Sequence, residues 1–186
     1  MSPCAWMLSG LLLACVAPAW AGVPETPAFR VLGVAEGLPS GSVNALAQDR
    51  AGYLWIATAD GLARYDGLDF RIWRHDPAEP GSLPGNNVQA LLVDSSDRVW
   101  IATEAGGLSV LDASRQAFRH YRKATHPSIG SDDTWALASR DGDLWFGTWG
   151  GGLHRIQDDG RITRFMPRTG DPHTKKTRRE GRVSCF

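Results

Sequence analysis

Three tryptophans recur at a fixed interval of 45 residues, at Trp55, Trp100 and Trp145, and each sits in the same local phrase. The phrases are Leu54-Trp55-Ile56-Ala57-Thr58, Val99-Trp100-Ile101-Ala102-Thr103 and Leu144-Trp145-Phe146-Gly147-Thr148. A glycine turn and a leucine follow each one, at Gly61-Leu62, Gly106-Gly107-Leu108 and Gly150-Gly151-Gly152-Leu153. Upstream, Leu38-Pro39-Ser40-Gly41-Ser42-Val43 matches Leu83-Pro84-Gly85-Asn86-Asn87-Val88, and Ile129-Gly130-Ser131-Asp132-Asp133-Thr134 continues the series. Self-similarity at several points per unit marks a repeat architecture, in which one unit cannot bury its apolar face without its neighbours. The periodicity therefore assigns Trp55, Trp100 and Trp145 to the structural core.

Each unit divides into four short strands separated by turn residues. In the first, Val43 to Gln48 is an apolar strand, Asp49-Arg50-Ala51-Gly52 a turn, and Tyr53 to Thr58 a strand rich in aromatic and β-branched residues. Asp60-Gly61 turns the chain into Leu62 to Tyr65, and Asp66-Gly67 turns it again into Phe70 to Arg74. The inner strands read as apolar on both faces and the outer one as half polar, which predicts a dry centre and a wet rim. A strand spacing of ~4.8 Å puts the rim roughly 15 Å from the axis, so the Pro- and Gly-rich stretch from Asp76 to Asn87 suits a return from an outer strand to the next inner one.

The predicted fold is all-β, a β-propeller of four-stranded antiparallel blades that is incomplete, with about three blades and a partial fourth. The expected organisation is a signal peptide at 1–21, a leading segment at 22–36 that could supply a blade-completing strand, blade 1 at 37–75, blade 2 at 76–123, blade 3 at 124–168, and the truncated start of a fourth blade at 169–186. The last assignment rests on Asp171-Pro172 preceding Val183 as Asp76-Pro77 precedes Val88, which aligns Val183-Ser184-Cys185-Phe186 with the first strand of a blade. The alternative for this tail is a basic segment carrying Lys175, Lys176, Arg178, Arg179 and Arg182.

Residues 37 to about 168 resemble the two-component regulator propeller repeat. The resemblance is carried by Gly37-Leu38-Pro39, Val43 and Leu46, Asp49, Gly52, Leu54-Trp55-Ile56-Ala57-Thr58 and Gly61-Leu62 with Arg64-Tyr65-Asp66-Gly67. Unit three departs from it, with Asp133-Thr134-Trp135 at its start and a shortened first turn at Ser139-Arg140-Asp141-Gly142. The resemblance implies an extracytoplasmic sensor region built from many blades, followed in the parent protein by an immunoglobulin-like spacer, one transmembrane helix, and a cytoplasmic histidine kinase or diguanylate cyclase. In that case the chain itself catalyses nothing, its further blades come from its own parent chain, and it meets a membrane only through the downstream part. Two other readings stand beside it: a secreted or periplasmic propeller used as a protein-interaction scaffold, and a polysaccharide-active propeller enzyme.

Charge and the N-terminus narrow the setting. Twenty Lys and Arg balance twenty Asp and Glu, so there is no global positive field to hold a nucleic acid, which is excluded as a partner. From Ala5 to Ala21 the sequence is uncharged and ends on small residues at Ala19 and Ala21, the pattern of a secretory signal cleaved after Ala21. That predicts a periplasmic location. Leu12-Leu13-Ala14-Cys15 also resembles a lipobox. Cleavage after Ala21 would leave Cys185 as the single thiol, so the fold must hold without an internal disulfide.

No catalytic arrangement, metal site or cofactor motif stands out. Gly150-Gly151-Gly152 lacks the Lys-Ser or Lys-Thr of a phosphate loop, and Asp94-Ser95-Ser96-Asp97 and Asp141-Gly142-Asp143 lack the further ligands of a calcium loop. The histidines, His75, His120, His126, His154 and His173, are scattered without ligand spacing, and His75 and His120 are expected to face solvent. Two aromatics break the repeat. Trp149 stands where Ala59 and Glu104 stand, and Trp135 where Asn44 and Gln89 stand. Either these indoles line the channel and stack on a small molecule or the sugar rings of a carbohydrate, or they pack between blades.

Overall fold

The computed structural model describes residues 29–166. The chain forms two units, Met1–Val31 and Leu32–Phe186; of the first, residues 29–31 are described, exposed and without regular structure. The expected signal segment with Ala19 and Ala21, Cys15, Cys185, His173 and the 169–186 segment expected to begin a fourth blade lie outside the described residues. Val34–Glu36 is one 3-10 turn, and residues 29–33 have no regular structure.

Twelve strands follow in three antiparallel four-stranded meanders. The first comprises β1 (Val43–Gln48), β2 (Leu54–Thr58), β3 (Gly61–Tyr65) and β4 (Phe70–Trp73). The second comprises β5 (Val88–Val93), β6 (Val99–Thr103), β7 (Gly107–Leu111) and β8 (Phe118–Tyr121). The third comprises β9 (Thr134–Arg140), β10 (Asp143–Thr148), β11 (Gly152–Ile156) and β12 (Ile162–Phe165). Sheet-to-sheet contact runs chiefly through β1, β5 and β9, aided by β2 and β6. The sheets therefore converge at their first strands and splay toward their fourth, which is the blade geometry of a β-propeller.

Alternation along the strands explains how the sheets stack. Trp55 and Ala57 point from sheet one into a cluster with Val88, Val99, Ile101 and Leu111 of sheet two. On the opposite face of sheet two, Trp100, Leu108 and Val110 meet Leu144, Phe146 and Ile156 of sheet three. One apolar residue before each first strand plugs these layers: Leu38, Leu83 and Ile129, all buried. The tryptophan of each phrase then stacks on an aromatic at the end of its own outer strand. Trp55 lies 5.3 Å from Trp73, Trp100 5.8 Å from Tyr121 and Trp145 5.4 Å from Phe165, between ring centroids. The carbonyl of that same outer aromatic explains the glycine that opens each third strand. A Cβ on Gly61, Gly107 or Gly152 would fall within 2.7 Å of the carbonyl oxygen of Trp73, Tyr121 or Phe165, and all three glycines have positive φ.

In the first two blades a carboxylate six residues before the tryptophan organises the turn. Asp49 Oδ1 accepts hydrogen bonds from the Ala51 and Tyr53 amides while its Oδ2 accepts one from Trp55 Nε1 at 2.8 Å. Asp94 does the same with Ser96, Arg98 and Trp100. Burial pushes the Asp94 carboxyl up, but the bonds from Trp100 and Arg98 outweigh it and hold it below the usual carboxylate range. Asp94 thus forms an Asx turn, and Asp97 pairs with Arg115 at 3.0 Å. Arg115 also crosses to blade one, with Nη2 3.2 Å from Asp49 Oδ2 and its guanidinium 5.3 Å from the Trp55 ring centroid.

Three expectations need correction. The innermost strands are not the driest: most of β1 and β9 is exposed, whereas β2, β3, β6 and β7 are the most buried strands. β1 and β9 lie in the two outer sheets of the described set, each with a neighbouring sheet on one side, whereas β5, flanked by both, has no exposed residue. Trp145 is not core like Trp55 and Trp100 but only half-buried. Its turn is the two-residue Asp141-Gly142, both at positive φ, position 139 is a serine instead of the aspartate, and no described sheet covers its face. His120 is half-buried, with Nδ1 2.9 Å from Ser109 Oγ. Burial and nearby Arg122 push its pKa below the usual histidine range.

Asp49→Ala leaves a buried indole N–H and two turn amides without their acceptor, each worth ~1–3 kcal/mol. Urea unfolding of the full chain is expected to show a loss of about 3 kcal/mol or more, against about 0.5 kcal/mol or less for Arg140→Ala, whose ion pair with Asp141 is exposed. Comparable losses in the two variants would contradict the role given to Asp49.

Candidate functional site

The inner end of each blade is built on one repeated backbone bond. The residue after β2, β6 and β10 donates its N–H to the carbonyl shortly before β1, β5 and β9: Ala59 to Ser42 at 3.1 Å, Glu104 to Asn87 at 3.0 Å, and Trp149 to Asp133 at 2.7 Å. Because this frame is constant, side chains at 59, 104 and 149, and at 44, 89 and 135, are presented at equivalent places around the channel side. Blade one presents Ala59 and Asn44, blade two Glu104 and Gln89, blade three Trp149 and Trp135.

The two tryptophans that break the repeat come together. Their ring centroids are 6.1 Å apart and the planes meet at 45°, so they form an open corner with free faces. Trp149 is 69% exposed and Trp135 47%, so neither is enclosed between the described blades. Trp135 is oriented by its indole N–H, which donates to Asp133 Oδ1 at 2.8 Å. Asp133 is positioned in turn by the bond from its own amide to Ser131 Oγ. Trp149 leads into the Gly150-Gly151-Gly152 turn. At Gly151 a Cβ would lie 2.7 Å from the Ser131 nitrogen, so these glycines serve close backbone packing in a β-turn.

The neighbouring blades continue the surface with polar groups. Asn44 Nδ2 donates across the blade boundary to the Val88 carbonyl at 2.8 Å and to Asn87 Oδ1 at 3.3 Å. Glu104 Oε2 accepts from Asn87 Nδ2 and from Gln89 Nε2. Sequence reasoning passed over Glu104, Asn87 and Gln89, because polar residues at a turn carry no signal until the repeat frame places them beside one another.

What holds the corner in place is buried behind it. His154 is fully buried, its ring 4.7 Å from the Phe146 ring, and its Nε2 accepts the Gly130 N–H at 3.0 Å. Arg164 Nε donates to the Gly151 carbonyl at 2.6 Å, and the Asp132 carbonyl accepts from the Gly107 amide at 2.6 Å. The segment leading into Trp135 is thus tied to blades two and three. Burial, followed by the positive charge of Arg164, pushes the His154 pKa below the ordinary histidine value of 6.5. Among the described residues no group of three or more His, Cys, Asp or Glu is arranged to hold a metal, and no helix is long and apolar enough to cross a membrane.

Comparison with known proteins places these features in context. The two component regulator propeller family model matches residues 37–60 and 82–105. A 48-residue stretch is 42% identical to Histidine kinase P4 of Formosa agariphila, covering 26% of this chain and 4% of that protein. The extracellular domain of a B. thetaiotaomicron protein assigned to the hybrid two component systems superposes with a TM-score of 0.56 at 20% identity, over 72% of this chain and 19% of that one. Streptogramin B lyase superposes with a TM-score of 0.51 at 20% identity, over 72% of this chain and 44% of its own. The chain therefore carries repeats of the two component regulator propeller type and has a propeller fold, and it spans a small fraction of the kinase it matches.

The buried His154 sets a pH dependence. In the folded chain Nε2 must stay unprotonated to accept the Gly130 N–H, whereas the unfolded chain takes up the proton at the ordinary value. Stability conferred by neutral His154 is full above pH 6.5 and is lost as the pH falls from there through the lower folded-state pKa. Unfolding free energies measured from neutral pH down to about pH 5 are expected to fall less steeply in His154→Phe than in the natural chain. Parallel slopes would contradict it.

Proposed function

We propose that this chain is the extracytoplasmic ligand-sensing propeller region of a membrane-bound signal-transduction receptor of two-component or cyclic-di-GMP type, with Trp135 and Trp149 as its ligand-contacting pair. The observation that carries the reading is the exposed indole corner at two positions where the other blades hold small or polar residues. A folding role does not account for it, since the structural tryptophan of this blade is Trp145, stacked on Phe165. Exposed indole faces gain by covering apolar ring faces, and sugars offer such faces alongside hydroxyls that the surrounding amides of Asn44, Asn87 and Gln89 can bond. The match to two component regulator repeats and to a histidine kinase supports the sensor setting. The fold alone does not, because a lyase shares it.

Sensing requires that the ligand bind one state of the receptor better than another, because a ligand with equal affinity for both shifts nothing. The inner end suits that demand: the corner hangs on the Gly130–Asp133 segment, which bonds to both blade two and blade three, so a ligand seated there bears on how the blades sit together. Catalysis is not part of the proposal. Asp133 is engaged by an indole, Glu104 by two amides, and neither is aimed at the other as an acid and base pair.

A panel of neutral oligosaccharides, screened by thermal unfolding of the chain, tests the reading. A sugar present at a hundredfold excess over its Kd adds about 2.7 kcal/mol to apparent stability, and the shift is expected to vanish in Trp149→Ala. A shift that survives removal of Trp149 would overturn the assignment of the pair.

A further inference from the structure

The charge around the indole corner narrows the class of ligand. The segments that make up the inner end are 40–44, 59–61, 85–89, 104–106, 131–135 and 149–151. They contain Asp60, Glu104, Asp132 and Asp133 and no lysine, arginine or histidine. The basic side chains near this end of the sheets follow the outer strands, as Arg74, Arg122 and Lys123 do, or lie in one, as Arg164 does. Arg74 is paired with Asp60, and Arg164 is spent on the Gly151 carbonyl. The Arg164 guanidinium lies against Gly130 and Gly151, and the Lys123 amide donates to Asp132 Oδ1 at 2.6 Å, so Asp132 has a basic residue beside it, whereas Glu104 has no ion-pair partner among the described residues.

Glu104 is the group that matters most. It is exposed, its described hydrogen-bond partners are the neutral amides of Asn87 and Gln89, and it takes part in none of the ion pairs among the described residues. Two amide donors orient the carboxylate without neutralising it. Glu104 and Gln89 hold in blade two the places that Trp149 and Trp135 hold in blade three, and β5 and β9 are adjacent inner strands. The bond from Asn44 to Asn87 shows that side chains at these places reach the next blade. A ligand lying in the indole corner therefore has an unneutralised carboxylate on its blade-two side.

We propose that this surface takes a ligand bearing a cationic nitrogen, an amino sugar or another alkylammonium compound, with the indole faces of Trp135 and Trp149 as its seat and Glu104 as its counter-charge. The inference rests on the reading of Trp135 and Trp149 as the ligand surface and specifies what that surface prefers. Indole faces carry the negative end of the ring quadrupole and attract ammonium groups, and a carboxylate alongside adds to the same preference. An acidic sugar would meet the Glu104 carboxylate on the blade-two side, so the same surface disfavours uronic acid ligands.

Three oligosaccharides of equal length separate the outcomes: glucosamine oligomers, N-acetylglucosamine oligomers and glucuronic acid oligomers, titrated against the full chain by tryptophan fluorescence at a pH where the free amines are charged. The glucosamine oligomer is expected to bind about fivefold or more tightly than its acetylated counterpart. That preference should disappear in Glu104→Gln and weaken as salt is added, while Trp149→Ala abolishes binding of both. Equal binding of the amine and acetylated forms, with loss of both in Trp149→Ala, would overturn the cationic preference while leaving the indole surface standing. Tightest binding by the glucuronic acid oligomer would also overturn it. Failure of all three to bind would overturn the preference and count against the surface itself.

Discussion

A single carboxylate-to-indole hydrogen bond underlies the architecture. Asp49 and Asp94 each close a turn with two backbone amides and, with the remaining oxygen, fix the indole six residues later. A buried tryptophan needs a partner for its one polar atom. Once Nε1 is tied to the turn, the ring has one orientation, and the outer-strand aromatic can stack on it. The stack brings the carbonyl of that aromatic against the start of the third strand, which is why glycine must stand there. In blades one and two that bond ties the first turn to a stack of second- and fourth-strand aromatics, and to the glycine opening the third strand, features that blade three forms without it. Arg115 extends the link from blade two to blade one by pairing with Asp49 across the boundary.

Blade three shows what happens when the bond is missing. Its first turn is two residues long, serine replaces the aspartate, and Trp145 is half-exposed although it still stacks on Phe165. The same blade carries the exposed indole corner and a buried histidine that anchors the segment leading to it. Local rules are broken where a protein binds something more often than where it only packs. The blade with the weakest structural clasp is here the one that presents the candidate site.

Much of this was legible in the sequence. The 45-residue interval, the Asp-Gly turns and the aromatic and β-branched run from Tyr53 to Thr58 lead to four-stranded blades stacked in order, and the strands fall within a residue or so of where turn residues place them. The corner of Trp135 and Trp149 was legible as well, because both depart from positions that the repeat defines. The roles of Arg115, His154 and Glu104 were not. Arg115 acts on a residue 66 positions away; His154 stands where Ala63 and Ser109 stand, so the repeat points to its burial but not to its bond with Gly130; and Glu104 is one acidic turn residue among many until its bonds to Asn87 and Gln89 are seen. Strand order along the blade also misled: an apolar first strand such as Val43 to Gln48 reads as buried, yet it is mostly exposed, since it has a described sheet on one side only, while β5, with a sheet on each side, is not.

Trp55 and Trp100, buried between blades, hold the fold together, while the exposed Trp149 does not. Unfolding free energies of the full chain with Trp100→Ala and with Trp149→Ala test this most directly. The account predicts a loss of about 3–5 kcal/mol for Trp100, from the cavity left between blades two and three, and a change within about 0.5 kcal/mol for Trp149. Comparable losses at the two positions would contradict it.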